Sequence, residues 1–187
     1  MTPVEVGRAV VDELAAVVAR QRDAVDWDQV LQLAESLDRA RKVLVFGAGR
    51  SRSVALALAQ RLNHVGVTVA TVGESGNSRL GEDDALVLVS GSGATVSAIA
   101  MADQAATAGV GTLALLTATE SSPLADRADV VVRIHARGKG SEERSLSPYT
   151  APFDAATLVV SEAVCRIIMQ LRDMADEEIE QWRPNVE

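Results

Sequence analysis

Apolar positions along the first forty residues recur at helical spacing. Thr2-Pro3-Val4-Glu5 supplies an N-cap, a proline at the first helical position and a glutamate at the third, a capping box. Behind it Val6, Val10, Leu14, Val17 and Val18 mark one helix face. Asp26-Trp27-Asp28-Gln29 repeats the start signal, and Val30, Leu33, Ala34 and Leu37 line a second helix. From Lys42 the pattern changes to short apolar runs alternating with alanine-rich helices. Strands are predicted over 43–46, 67–72, 85–89, 112–116 and 130–134. Helices are predicted over 51–65, stopped by Gly66, and over 95–108, closed by Gly109. A short helix is predicted from Ser122-Pro123 to about Ala128, and a long final one from about Pro152 to Arg172. Such alternation implies right-handed crossovers and an α/β fold, a five-stranded parallel sheet flanked by helices. The chain reads as one domain: leading helices in 1–40, the sheet core in 41–135, a polar loop in 136–149, and a last helix and tail in 150–187.

Composition narrows the classes. Hydrophobic residues make up 48% of the 187 and aromatics only 3%, so Ala, Val, Leu and Ile must fill the core, as suits helices on a parallel sheet. A net charge of -8 and a pI near 4.8 argue against nucleic acid as partner. No apolar run has membrane-spanning length and Met1 opens no secretory pattern, so a cytoplasmic address is expected. The single cysteine, Cys165, cannot form an internal disulfide, and its place between Val164 and Ile167 reads as burial.

The candidate chemistry lies in two loops, Gly47-Ala48-Gly49-Arg50-Ser51 and Ser90-Gly91-Ser92-Gly93-Ala94-Thr95. In open parallel sheets ligands bind beyond the carboxyl ends of the strands, where strand order reverses. For the flavodoxin-like order 2-1-3-4-5 that point lies between the first and third strands, the two that these loops follow. Each loop leads into a helix whose first N–H groups and dipole favour an anion. The hydroxyls of Ser51, Ser90, Ser92 and Thr95 add donors. Glycines there also serve simply to turn the chain. Two rival phosphate motifs fit less well. The P-loop Gly-Lys-Ser/Thr is absent. The dinucleotide fingerprint has Gly47 and Gly49, but Arg52 stands where its third glycine belongs, while Glu74 remains available as a ribose acid.

These loops, with Arg61-Leu62-Asn63-His64-Val65-Gly66 and Val72-Gly73-Glu74, resemble the sugar isomerase (SIS) domain, with the closer likeness to the 6-phospho-3-hexuloisomerase family. The resemblance covers nearly the whole chain, including the leading helices and the segment from Pro148 to Asp154. It implies a flavodoxin-like three-layer sandwich and a homotetramer with active sites at subunit contacts. The reaction implied is metal-free and cofactor-free: interconversion of 3-hexulose 6-phosphate and fructose 6-phosphate in formaldehyde assimilation by the ribulose monophosphate pathway. Gly49, Arg50, Ser51, Glu74, Ser90, Gly91, Ser92 and Thr95 are then the substrate-binding residues. Moving one proton between neighbouring carbons through a cis-enediol needs a base and an oxyanion donor. The family's glutamate, in a Gly-Ser-Leu-Phe-Glu stretch, falls on Asp154 of Thr150-Ala151-Pro152-Phe153-Asp154. An aspartate there also suits a helix N-terminus. His64 matches the histidine of Arg-Leu-Met-His and could shuttle a proton between the enediol oxygens or hydrogen-bond a hydroxyl; before Gly66 it could equally satisfy helix carbonyls.

Arg50 could pair with the phosphate or with a neighbouring subunit's carboxylate, and His135 reads as structural. No His, Cys or acid cluster has metal-ligand spacing. Four positions depart from the hexuloisomerase pattern: Arg52 for glycine, Ala94 for glutamate, Asp154 for glutamate, and Arg183-Pro184 for His-Ala. The phosphate hydroxyls are untouched, whereas the changes fall where sugar is expected. An isomerase for another sugar phosphate, a non-catalytic sugar-phosphate sensor and a nucleotide-binding oxidoreductase therefore stay open.

Overall fold

A computed structural model describes residues 1–73, 79–137 and 145–182. The leading helices are α1 (Pro3–Ala24) and α2 (Trp27–Arg39). Thr2 and Glu5 form the reciprocal capping box, with bonds of 3.3 and 2.6 Å. Asp26 Oδ1 accepts from the amides of Asp28 and Gln29. All four predicted residues of α2 are buried, but on α1 only Val17 and Gln21 are. Val6 stays exposed and Val10, Leu14 and Val18 are half-buried. An apolar stripe shows which face can be buried; here the last helix packs on α1 but leaves much of the stripe uncovered.

The sheet comprises β1 (Lys42–Gly47), β2 (Val69–Thr71), β3 (Asp84–Val89), β4 (Thr112–Thr117) and β5 (Val130–Arg133). Its order is β2-β1-β3-β4-β5 and every pairing is parallel, as the flavodoxin-like reading expected. The crossover helices are α3 (Arg50–His64) and α4 (Val96–Ala108), and α5 (Ala151–Leu171) follows the polar loop. β2 is shorter than predicted because Val67 belongs to the end of α3. Its amide bonds Leu62 O at 3.0 Å and Gly66 sits at φ 76°, a Schellman closure. The helix predicted after Ser122 is reduced to a 3-10 turn, Ala125–Arg127, with Ser122 Oγ accepting from the Ala125 amide. A second such turn, Asp176–Gln181, follows α5.

Alternation along the strands divides the core. Val43, Val45, Val87, Val89 and Leu116 meet α2, α3 and α5 on one face, whereas Leu86, Leu88 and Leu115 meet the alanines of α4 on the other. Both faces being covered explains the nearly unbroken apolar strands. No helix among the described residues is long and apolar enough to cross a membrane.

Candidate active site

The parallel pairing of β1 with β3 runs to Gly47 opposite Val89, so the two glycine-rich loops leave the sheet side by side. The first folds sharply: a Cβ on Gly47 would lie 2.5 Å from Ser51 O, so glycine lets the first turn of α3 press against the strand end. Gly49 is the N-cap of α3, with φ 58° and no side chain to cap it. Ser51, in the first turn, is half-buried.

The second loop is braced from within. Ser90 is buried and its hydroxyl lies 3.0 Å from that of Thr95. The Gly93 amide donates to Ser90 O, the Leu124 amide to Gly93 O, and the Ala118 amide to Gly91 O. Ser92 Oγ accepts from the Ala94 amide at 3.3 Å. Gly93 has φ 59°, and a Cβ there would overlap the side chain of Ser122. The tight-turn role of glycine is therefore real at Gly47 and Gly93. Thr95 is the N-cap of α4 but does not cap it with its side chain.

The start of α5 closes the crevice. The Phe153 ring packs under Gly91, and Asp154 lies one residue further on, buried. Asp154 Oδ2 accepts from Arg50 Nε at 2.8 Å and from Thr150 Oγ1 at 3.0 Å. Asp154 Oδ1 is buried with no hydrogen-bond partner among the described residues. Arg50 thus pairs with a carboxylate of its own chain, joining the N-terminal turns of α3 and α5. Thr150 was not singled out by sequence reasoning. Its signal was present, a hydroxyl four residues before the acid at a helix start, where side chains at i and i+4 meet.

Gly49, Arg50, Ser51, Ser90, Gly91, Ser92, Thr95 and Asp154 are thus assembled around one end of the sheet. His64 is not. It ends α3, about 21 Å along the axis from Arg50 at 1.5 Å per residue. Glu74 lies outside the described residues, as do Arg183-Pro184 and 138–144 of the polar loop. Arg52 lines a cleft of about 270 Å³ with Phe46, Leu56, Thr71, Val72 and Gly47, the first glycine of the first loop. Burial first, and the charge of Glu162 second, push the Cys165 thiol up to about 12, so it is no nucleophile at neutral pH. His135 is held through its backbone, its amide donating to Gln21 Oε1 and its carbonyl accepting from Gln21 Nε2. No group of His, Cys, Asp or Glu among the described residues could hold a metal ion.

Residues 36–161 match the SIS domain family model. The chain belongs to the SIS domain family. A 3-hexulose-6-phosphate isomerase of Mycobacterium gastri is 35% identical over 178 residues, 94% of this chain and 87% of that one. The protein of the same name from Bacillus subtilis is 30% identical over 159 residues, covering 83% and 85% of the two chains. The fold is shared with a crystal structure of a hypothetical protein at a TM-score of 0.89 and 30% identity, over 97% of this chain and 98% of that one. Within this SIS domain, the family match spans both loops and reaches past Asp154.

Proposed function

We propose that this SIS protein is a sugar-phosphate isomerase interconverting 3-hexulose 6-phosphate and fructose 6-phosphate. The observation that carries the reading is Asp154: a buried carboxylate with one oxygen held by Arg50 and Thr150 and the other buried without a hydrogen-bond partner among the described residues, at the helix start beneath the second glycine-rich loop. The homologues named for this isomerization support the choice of substrate.

The phosphate is held by the N-terminal amides of α3 and α4 and by the hydroxyls of Ser51, Ser92 and Thr95, with Ser90 setting the rotamer of Thr95. Glu74, outside the described residues, is assigned to the sugar hydroxyls from the sequence resemblance alone. The Asp154 carboxylate removes the proton from C2 of the 3-hexulose, giving a 2,3-enediolate with its charge on O3; the hydroxyl proton of O2 passes to O3, and the carboxyl returns the carbon proton to C3 as the ketone forms at C2. A cis-enediol keeps both carbons within reach of one oxygen. Arg50 and Thr150 hold the other oxygen, so the shorter aspartate side chain is aimed without a glutamate's extra methylene. Hydrogen-bond donors at the crevice stabilise the oxyanion. His64, at the far end of α3, takes part as the histidine of a second copy, which makes the active unit a homo-oligomer, a tetramer by family likeness. The sequence of steps uses no cofactor.

A coupled assay following fructose 6-phosphate formed from the 3-hexulose phosphate tests this reading. Turnover is expected in the native protein, with a loss of about a hundredfold or more in Asp154→Asn. A native protein without turnover overturns the reaction, and full activity in the variant removes Asp154 from its role. A thermal-shift series of hexose, pentose and heptose phosphates is expected to give its largest shift with a hexose phosphate; a larger shift with another class would reassign the substrate.

A further inference from the structure

Asp154 is aimed from outside the crevice as well as from within it. Upstream of α5 the chain runs as a bent strap, Ser145 to Thr150, against the flank of α1. There Glu13 accepts from three donors at once. Its Oε1 takes the Ser145 hydroxyl, and its Oε2 takes the amides of Leu146 at 2.8 Å and Ser147 at 3.2 Å. The Ser145 oxygen in turn accepts from the Ser147 amide at 3.0 Å. Both carboxylate oxygens are therefore engaged, and every bond goes to three consecutive residues of the strap. The Ser145 hydroxyl, opposed by burial and aided by the two amides, holds the Glu13 carboxyl below its ordinary range, as expected where donors converge on a charged acceptor.

The strap has little slack beyond that point. Ser147 is buried, and the Ala151 amide closes a turn onto Pro148 O at 3.0 Å. Within this turn Tyr149 sits at φ 40°, a left-handed conformation that a tyrosine keeps only where its surroundings impose it. Glu13 fixes the strap on one side and α5 on the other. The next residue, Thr150, donates to Asp154 Oδ2 and accepts the Asp154 amide through its carbonyl.

We propose that Glu13, on α1, is a positioning residue for the isomerization: by holding the strap 145–147 it fixes Thr150, and through Thr150 the orientation of Asp154. This rests on the function proposed above. Glu13 touches neither the phosphate loops nor the base, so its removal should lower kcat while leaving the phosphate end intact. Acting through Asp154, it should also add nothing once the carboxylate is gone.

The test is a double-mutant cycle with the full-length protein, read by the isomerase assay and by amide hydrogen exchange. Glu13→Ala is expected to lower kcat about tenfold or more, to leave KM within about twofold, and to speed exchange at 150–154. In the Asp154→Asn background the same change should cause no further loss. Ser145→Ala, which removes one of the three bonds and leaves Glu13 in place, should shift kcat and exchange in the same direction by less, and it serves if Glu13→Ala does not fold. Unchanged kcat in the folded variants, a rise in KM in place of the fall in kcat, or an equal loss in both backgrounds would overturn the proposal. If the native protein shows no turnover, the reaction fails and the catalytic role with it. Unchanged exchange at 150–154 in a variant of an active protein overturns the Glu13 linkage alone.

Discussion

The α-helices among the described residues begin in two different ways. α1 and α2, outside the sheet, are capped by their own side chains: Thr2 accepts from the Glu5 amide, and Asp26 from those of Asp28 and Gln29. α3, α4 and α5, around the crevice, have no side-chain cap. Gly49 has no side chain to offer, the Thr95 hydroxyl turns to Ser90, and the Thr150 hydroxyl turns to Asp154. A side-chain cap contributes about 0.5–2 kcal/mol by satisfying orphan amides. At α3 and α4 that stabilisation is forgone, and the same amides and dipoles remain for an anion. The outer helix starts are closed by their own side chains, whereas the proposed function gives the uncapped starts of α3 and α4 to the phosphate.

The largest test of this division concerns the crevice itself. Asp154→Asn should reduce turnover about a hundredfold or more, equivalent to roughly 2.7 kcal/mol or more of transition-state stabilisation, with little change in thermal stability. Gly93→Ala should act in the opposite manner. Its left-handed φ and the overlap with Ser122 predict a destabilisation of about 2–4 kcal/mol in urea unfolding, because the loop cannot relax without losing its bracing bonds.

A finer test sets one cap against another. Thr2→Ala should cost about 1 kcal/mol of stability and leave KM unchanged. Thr95→Ala should also cost about 1 kcal/mol, through the buried Ser90 hydroxyl it leaves without its partner, but should in addition raise KM several-fold, since a phosphate donor is lost. If Thr95→Ala leaves KM unchanged, or Thr2→Ala raises it, the division between the two kinds of helix start does not hold.

The smallest effect belongs to His135, where burial first, then the charges of Arg133 and Arg20, hold the imidazole below its usual 6.5. The unfolded chain therefore binds the proton more readily than the fold does. Stability should fall as pH drops below about 6.5 and level off below the depressed value. His135→Asn should flatten this part of the profile, and an unchanged slope would show that other groups produce it.

Much of this architecture was legible from pattern. The Thr2 capping box, the Gly66 and Gly109 stops and the five apolar runs each rest on local chemistry that a few neighbouring residues determine, and each is found in the fold. The misjudged lengths have non-local causes. Val67 is drawn into the closure of α3, and Val6 has the right spacing but stays exposed among the described residues. At the site, the two loops were legible because glycine, hydroxyl and helix start lie adjacent in sequence. The links Arg50–Asp154 and Glu13–Ser145 were not, since they join residues far apart in the chain and no local propensity reports them.

By itself, then, the sequence determined the alternating α/β plan, the place of the two glycine- and hydroxyl-rich loops after the first and third strands, and the family to which the chain belongs, because short-range periodicity and motif spacing carry that information. Tertiary structure alone decided that the loops stand side by side, through the parallel register of β1 and β3. It alone brought the start of α5 under them, gave Asp154 one held oxygen and one without a partner among the described residues, and carried His64 to the opposite end of α3. Orientation and separation of side chains depend on packing between distant segments, so they come into being only when the chain is folded.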